Sequence, residues 1–440
     1  VTQYTMTVLE SLGLLKIDFL GLRNLTVIRD TVTQIHKADP SFAIEDIPLD
    51  DAEVYKMLAQ GDTLGVFQFE SPGMTSTIER LVPHDIEDLI AVISLYRPGP
   101  MDSIPTYIKN RHNQSQIKYK TELLRPILGV TYGCIVYQEQ VMQIFRSLAG
   151  YSYGKADIVR RAMAKKKHDV LENERKAFIY GETDERGNEV CCGCLKNGIP
   201  HEVANSIFDE MTSFASYAFN KSHAAAYATV AYQTAYLKCH YFKEYMSALL
   251  TSVLDSIGKI NEYTALCEEH GLKVLGPDIN RSEEYFTTDG NSLRFGLLAV
   301  KSLGRGAIAQ ILEKRRSGGS FKGLADFIER LYGSELTSRA IESLIMGGAF
   351  DCFPNNRNEM LSSLNMIQSE VEQRNRSSME GQLDLFDMGD NRQEGQRWEI
   401  PKKEEYPISQ LLEMEKEILG IYISGHPLSE YQPWIKALGL

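Results

Sequence analysis

Apolar residues recur at helical spacing along most of the chain, and this pattern predicts a mainly α-helical protein with small β elements. Helices are expected at residues 24–37, 72–82, 86–95, 121–127, 136–149, 154–180, 201–213, 223–252, within 296–316 and at 407–418. Short buried strands are expected at 14–20, 272–275 and 292–295. The pattern changes from long helical segments to short strands near 255–290, where we expect a new domain to begin.

Composition limits the class of protein. With 440 residues and 43% hydrophobic content, the chain can bury more than one core, and domains of roughly 100–200 residues suggest a multidomain protein. No run of about 18 apolar residues occurs, so we expect a soluble protein. The first residues, Val1-Thr2-Gln3-Tyr4, have neither a basic signal region nor an initiating Met, so we expect a piece of a longer chain.

Seven scattered cysteines do not form the regular framework of a small secreted protein, and a reducing cytoplasm is expected. Cys191, Cys192 and Cys194 lie close together, but structural zinc sites use two separated cysteine pairs, and no second pair is evident. The alternatives are a zinc site and an unstructured loop with free thiols. The pattern favours the loop.

A net charge of −12 argues against a protein that coats nucleic acid indiscriminately, because phosphate binding relies on a positive surface. One local basic strip remains, and it is either a phosphate-binding surface or a solvated helix face. Its members are Lys155, Arg160, Arg161, Lys165, Lys166, Lys167, Arg175 and Lys176.

Asp18 is a carboxylate inside an apolar run, between Ile17 and Phe19. On a strand it would point away from its neighbours, either into a cleft or simply from a sheet edge. A two-metal site for phosphoryl transfer needs several carboxylates, so one aspartate does not build it.

Two segments suggest anion binding. In Tyr96-Arg97-Pro98-Gly99-Pro100-Met101, the prolines and the glycine fix the backbone beside Arg97, either for phosphate recognition or as an ordinary turn. In 219–227, Asn220 or Ser222 can cap a long helix whose free N–H groups lie beside Lys221 and His223. Tyr227 follows His223 by one turn and could pack on a sugar or base. The alternative is a capped core helix with exposed polar side chains.

Residues 296–310 predict two helices joined by a Gly304-Arg305-Gly306 hairpin, with Lys301 close by. This geometry can hold a DNA backbone phosphate on free helix amides without reading sequence. A similar unit is expected at 341–351.

Between about 369 and 405 the chain is polar, and we expect a flexible segment. Its one apolar island is Gln382-Leu383-Asp384-Leu385-Phe386. An extended peptide with apolar anchors in a polar loop is typical of a docking motif.

Several long motifs together resemble the bacterial C-family replicative DNA polymerases, of which the alpha subunit of DNA polymerase III is the representative. The resemblance covers essentially the whole chain. It depends on the segments 16–22 (KIDFLGL), 65–71 (GVFQFES), 96–101 (YRPGPM), 137–140 (YQEQ), 160–163 (RRAM) with Lys165 to Lys167, and 219–223 (FNKSH).

The resemblance implies a set of domains that composition alone does not give. These are residues 1–30, the end of the polymerase palm with the third metal-binding aspartate, Asp18; 31–254, the fingers; 255–368, a tandem helix-hairpin-helix DNA- and clamp-binding domain; 369–405, the segment with the clamp-binding motif; and 406–440, the lead-in to an oligonucleotide-binding domain. The two other palm aspartates of the family have no match here, so we expect the isolated chain not to extend a primer.

The implied parent activity is DNA-directed DNA synthesis, a nucleotidyl transfer assisted by two Mg²⁺ ions. The implied partners are primer-template DNA, deoxynucleoside triphosphate, the sliding clamp (beta subunit) and other replicase subunits, with no membrane. Asp18 would be the catalytic metal ligand, and Gln382 to Phe386 would bind the clamp. The expected substrate-binding residues are Arg97, Arg160, Arg161, Lys166, Lys221, His223 and Tyr227, and the expected DNA-binding residues are Lys301, Gly304, Arg305 and Gly306. The rival hypothesis is a non-catalytic nucleic-acid and partner-binding module.

Overall fold

The computed structural model describes residues 2–17, 19–164, 168–215, 218–379, 400–431 and 434. It divides into two compact units, residues 41–242 and residues 1–40 with 243–440. No helix among the residues described is long and apolar enough to cross a membrane.

The fold is mainly helical, as the sequence predicted. The helices are α1 Met6–Ser11, α2 Arg23–Ile35, α3 Ala52–Ala59, α4 Pro72–Leu81, α5 Ile86–Leu95, α6 Ile104–His112, α7 Arg125–Leu128, α8 Gln138–Ala149, α9 Tyr153–Ala164, α10 His168–Tyr180, α11 His201–Ala215, α12 Lys221–His240, α13 Phe242–Ser252, α14 Ile257–Glu269, α15 Arg305–Gly318, α16 Leu324–Arg330, α17 Ser338–Met346, α18 Arg357–Met379 and α19 Ile408–Leu419. The strands are β1 Glu182–Thr183, β2 Glu189–Cys191, β3 Lys273–Leu275, β4 Thr287–Asp289 and β5 Ser292–Arg294.

Unit 41–242 contains two hydrophobic cores. In the first, α12 packs along α5, which is buried on all sides from Asp88 onward. The close approach is possible because α12 presents small side chains, and a helix whose interface residues lack bulk can lie near its neighbour. These buried residues are Ala224, Ala228, Ala231 and Ala235.

The second core lies among α8, α9, α10 and α11. Phe145 is its centre, with ring centroids 5.1 Å from Phe178 and 6.1 Å from Phe208 in edge-to-face geometry. The short β1–β2 hairpin ends in this core, where Cys191 and Cys194 are buried. Burial raises the pKa of Cys194 to about 12. The prediction of an unstructured loop at 191–194 is therefore wrong for Cys191 and Cys194. Both thiols are free, as expected.

The other unit contains a small mixed sheet in the order β3-β5-β4. Val274 of β3 lies opposite Leu293 of β5 in parallel register, and Thr288 of β4 lies opposite the same residue in antiparallel register. Helices α15 to α18 follow, and α18 packs on α16 and α17.

A buried ion network joins α18 to α19 in this unit. Arg357 is 4% exposed and donates to Asp351 at 2.6 Å and to the fully buried Glu415 at 3.0 Å. Glu415 also accepts the backbone N–H groups of Ile423 at 2.7 Å and Ser424 at 2.9 Å. The network thus connects α18, α19 and the segment that follows α19.

Four expectations need correction. The segment expected to be flexible from 369 to 405 is helical up to Met379, where α18 ends, and Val371 is 1% exposed. No strand forms at 14–20: the described residues there are irregular, with Leu15 90% and Phe19 93% exposed, and Asp18 lies outside the described residues. The helix expected at 223–252 is two helices that meet at Tyr241. In 296–316 the first helix is only a 3-10 turn at Leu297–Ala299, so the expected helix-hairpin-helix is abbreviated on its N-terminal side.

A buried ion pair provides a test of the first core. Asp88 is 1% exposed, and Arg111 donates to its carboxylate at 2.9–3.1 Å. Replacing Arg111 with Met should lower the free energy of unfolding in urea by about 3 kcal/mol, because the charge that remains is buried without its partner. Arg125→Met is the control, since Arg125 pairs with Glu122 in solvent and its loss should change stability little. Equal small effects would contradict the assigned role of Arg111.

Candidate anion-binding sites

The N-terminus of α12 is built by capping. Asn220 accepts the His223 N–H through Oδ1 at 2.9 Å, so Asn220 is the N-cap of this helix. The Lys221 N–H donates to both carboxylate oxygens of Glu139 at 3.2 Å. Phe219 forms a parallel bridge with Tyr137, which places the start of α12 beside the start of α8. A carboxylate therefore already lies at the positive end of the helix dipole.

Lys221 has an anionic partner of its own. Its Nζ lies 2.9 and 3.0 Å from the two carboxylate oxygens of Glu87, and 5.3 Å from the ring centroid of Tyr137. Burial raises the pKa of the Tyr137 hydroxyl far above its ordinary value. An incoming anion would have to exchange with Glu87 to reach this ammonium group.

Arg97 lies over the ring of Phe219, with its guanidinium carbon 4.1 Å from the centroid. Its Nε donates to the Ser94 carbonyl at 3.1 Å, and burial lowers its pKa. The turn that follows holds it in place: Gly99 has φ +103°, a conformation that favours glycine, and the Met101 N–H donates back to the Arg97 carbonyl at 3.1 Å. The guanidinium is thus fixed by both stacking and the turn.

Four rings form a continuous row beside this guanidinium. Phe219 and His223 have centroids 5.2 Å apart, His223 and Tyr227 4.4 Å, and Tyr227 and Phe67 5.3 Å. His223 and Tyr227 are adjacent because they are separated by one turn of α12. We call these residues the aromatic row. With Arg97 at one end, it can receive a ligand that has an anionic group and a flat or sugar-like group.

Four of the expected substrate-binding residues lie at or near the start of α12: Lys221, His223 and Tyr227 are on this helix, and Arg97 packs on Phe219 just before it. Sequence reasoning missed Glu87 and Glu139, whose contacts with Lys221 join residues far apart in the chain. It also did not predict Phe67, which lies in the motif at 65–71 and contacts Tyr227.

Arg160 and Arg161 lie elsewhere in the unit, on α9 and against the second core. Both pair with Asp157 at 2.7 Å, and these ion pairs lower the pKa of Asp157. Arg161 is exposed, whereas Arg160 is largely covered. Lys166 lies outside the described residues.

The four expected DNA-binding residues form one exposed turn. Gly304 is the N-cap of α15, and Lys301 lies in the turn before it. The backbone N–H of Lys301 donates to the Ile418 carbonyl at 3.2 Å. Arg305 donates to Glu284 at 2.6 Å and to the Tyr285 hydroxyl at 2.7 Å, and the Tyr285 contact raises its pKa. A Cβ at Gly306 would collide with the Glu335 carboxylate.

The second unit, expected at 341–351, is a helix followed by a tight turn. α17 ends at Met346, and Gly348 follows with φ +78°. A Cβ there would meet the Arg357 guanidinium, so glycine is required both by conformation and by space.

One group of possible metal ligands occurs among the residues that the structure describes, namely His84, Asp85 and Asp88. The Asp88 carboxylate is already held by Arg111 and the Tyr132 hydroxyl. Its charge is compensated within the core, so this group is better explained as part of the packing. Asp18 is not in it and lies outside the described residues.

Comparison with known proteins gives two family matches. A model described as the bacterial DNA polymerase III alpha subunit finger domain matches residues 24–186, and a helix-hairpin-helix motif matches residues 271–360. The chain is 44% identical to the DNA polymerase III subunit alpha of Thermus aquaticus over 443 residues, which cover 98% of this chain and 34% of that protein. It is 40% identical to the subunit of the same name from Bacillus subtilis (strain 168), over 100% of this chain and 38% of that protein. The chain spans about a third of the length of the curated relatives it matches.

Proposed function

Because this chain belongs to the family of bacterial DNA polymerase III alpha subunits, we propose that it supplies the nucleotide-binding, duplex-binding and clamp-binding parts of a replicative DNA polymerase. The observation that carries the proposal is the similarity along the whole chain, together with the Arg97 guanidinium fixed at the end of the aromatic row. The fingers are proposed to span 31–254 and the helix-hairpin-helix domain 255–368, which the matched segments 24–186 and 271–360 support. A cytoplasmic location fits the seven free cysteines.

The proposed reaction is template-directed addition of a deoxynucleotide to a primer, with loss of pyrophosphate. Bound Mg²⁺ would activate the primer hydroxyl and neutralise the phosphates. Asp18 is the proposed ligand from this chain, and further carboxylates are needed to complete a two-metal site. Since the chain covers only about a third of its relatives, the complete reaction belongs to the full-length subunit.

The triphosphate is proposed to bind at the Arg97 end of the aromatic row. Arg97 and His223 share the Phe219 ring, and Lys221 lies on the first turn of the same helix as His223. Tyr227 then lies toward the sugar or base. Arg160, Arg161 and Lys166 are proposed as further phosphate contacts, which requires their helix region to approach the nucleotide.

The nucleotide site can be tested in a full-length alpha subunit carrying this sequence. Arg97→Ala should raise the KM for deoxynucleotide at least tenfold, because a hydrogen bond to a charged group contributes about 1.5–3 kcal/mol. Arg97→Lys should recover part of the loss, since it restores the charge without the planar guanidinium.

Steady-state single-nucleotide incorporation is the measurement, and Arg125→Ala, an exposed arginine on α7, is the control. An Arg97→Ala enzyme with the KM of the control would remove Arg97 from the nucleotide site.

Duplex DNA is proposed to bind the turn at Lys301, Gly304, Arg305 and Gly306. The support is the match to a helix-hairpin-helix motif and the exposure of this turn at the N-terminus of α15. Backbone phosphates would be the ligand, so no sequence preference is expected. The Arg305 pair with Glu284 must open, or Arg305 must reach the phosphate from within that pair.

The salt dependence of duplex affinity tests this contact. Each phosphate contact contributes about 0.9 to the slope of log affinity against log salt. Lys301→Ala with Arg305→Ala should therefore reduce the slope by about 2 in fluorescence-anisotropy titrations of the chain with duplex DNA. Lys314→Ala with Arg316→Ala, at the other end of α15, removes the same charge and should leave the slope nearly unchanged. Equal slopes for the two double variants would contradict the assignment.

The sliding clamp is the proposed partner of Gln382-Leu383-Asp384-Leu385-Phe386. These residues lie outside the described residues, so the support is their sequence and the family. The three large apolar side chains are clustered in a polar stretch, and each contributes roughly 1.5–3 kcal/mol on burial before ordering costs. Moderate affinity is expected.

Gln382→Ala combined with Leu385→Ala and Phe386→Ala should abolish clamp binding by the chain in titration calorimetry, while its unfolding temperature stays the same. The matched control replaces Asn391, Arg392 and Gln393 with Ala in the same polar stretch and should bind as the original does. Unchanged binding by the first variant would make the motif incidental. A clearly lower unfolding temperature would show that these residues belong to a core.

A further inference from the structure

Gln68 has a backbone conformation that its side chain does not favour. Its φ is +67°, in the left-handed region that glycine adopts readily and other residues rarely, and its side chain is exposed. Phe69, which follows Gln68, and Val66, two residues before it, are fully buried, and Phe67 between Val66 and Gln68 is partly buried. A strained residue persists only where its surroundings determine the backbone, and such positions concentrate at functional sites.

The surroundings here are contacts from α12. Lys238, 2% exposed, donates through Nζ to the carbonyls of Asp62 at 3.0 Å and Leu64 at 2.8 Å, and forms an ion pair with the Asp62 carboxylate. The Phe67 N–H donates to the Thr234 hydroxyl at 3.1 Å. Residues 62–67 are therefore attached to α12 immediately before the strained position.

The same helix carries the aromatic row. Phe67, the neighbour of Gln68 in the chain, has its ring 5.3 Å from that of Tyr227, whereas Arg97 lies at the opposite end of the row on Phe219. Gln68 therefore lies next to the Phe67 end of the aromatic row. The triphosphate is proposed to bind at the opposite, Arg97 end. A carboxamide offers one donor and one acceptor group to a base edge or a sugar hydroxyl.

We propose that Gln68 is a further substrate-binding residue that hydrogen-bonds the base or the sugar of the incoming nucleoside triphosphate. The proposal rests on the proposed function and deepens it. Glycine would adopt this backbone conformation with less strain than glutamine. The presence of glutamine here therefore indicates a role for its side chain. The backbone at Gln68 is already fixed in the free protein, which reduces the ordering that binding must impose.

The test separates backbone relief from loss of the side chain. In a full-length alpha subunit, Gln68→Gly should raise the deoxynucleotide KM about tenfold, while the unfolding temperature of the 440-residue chain with the same change stays equal or rises, because glycine relieves the strain. Gln68→Asn keeps a carboxamide and tolerates this conformation, so it should recover part of the KM.

The control is Val82→Gly. Val82 also has a left-handed backbone, with φ +52°, is exposed and ends α4 in the same unit. It should gain stability without any change in KM. Replacing it tests whether relief of backbone strain alone alters nucleotide binding.

A Gln68→Gly enzyme with unchanged KM would overturn the inference, and so would a raised KM accompanied by a lower unfolding temperature, since the side chain would then be structural. The Arg97→Ala variant distinguishes failure of the Gln68 proposal from failure of the proposed nucleotide site. If Arg97→Ala raises KM and Gln68→Gly does not, only the role of Gln68 fails. If neither variant changes KM, the proposed nucleotide site itself fails.

Discussion

The close packing of α12 on α5 is the constraint on which the rest of unit 41–242 depends. Alanines on the buried face of α12 allow this approach, and any larger side chain there would force the helices apart. The other contacts of α12 are set by the same position. Tyr232 donates to the Pro48 carbonyl at 2.7 Å, and Lys238 and Thr234 hold residues 62–67. A shift of α12 would therefore move both ends of the aromatic row together.

At the candidate sites, several of the basic side chains and helix N–H groups are already paired with carboxylates of the chain itself. Glu87 pairs with Lys221, Glu139 accepts from the first amide of α12, and Glu284 pairs with Arg305. A single anion gains little by exchanging with such partners, because it only replaces one pair with another. A ligand with several phosphates in fixed geometry gains more. If the proposed sites bind phosphates, this exchange would allow a protein with a net charge of −12 to select polyphosphate ligands over single anions.

Local signals predicted the elements well, whereas long-range partners were not predictable from the sequence. The helices at 72–81 and 86–95 and the Asn220 cap follow from short motifs whose caps lie within three residues, such as Ser71 accepting the Met74 N–H. The strand expected at 14–20 failed because strand geometry requires a partner strand, which no local pattern guarantees. The family resemblance indicated which basic residues to examine. It did not reveal that Lys221 and Glu87 are paired, since only the folded chain brings α5 and α12 together.

The attachment of α18 suggests how the proposed clamp segment and the duplex-binding turn act together. Glu405 accepts the N–H groups of Arg357 at 3.0 Å and Asn358 at 3.2 Å, so the chain after residue 399 returns to the N-terminus of α18. The described chain thus stops at Met379, at the C-terminus of a helix roughly 33 Å long, and residues 403–405 contact the N-terminus of that helix. The described residues that flank the proposed clamp-binding motif, up to Met379 and from Ile400 on, therefore belong to the same unit as Lys301 and Arg305. If that unit binds DNA as proposed, it would meet a clamp on the same duplex at high effective concentration. Two moderate contacts would then give a stable assembly, while either one alone would be easily released.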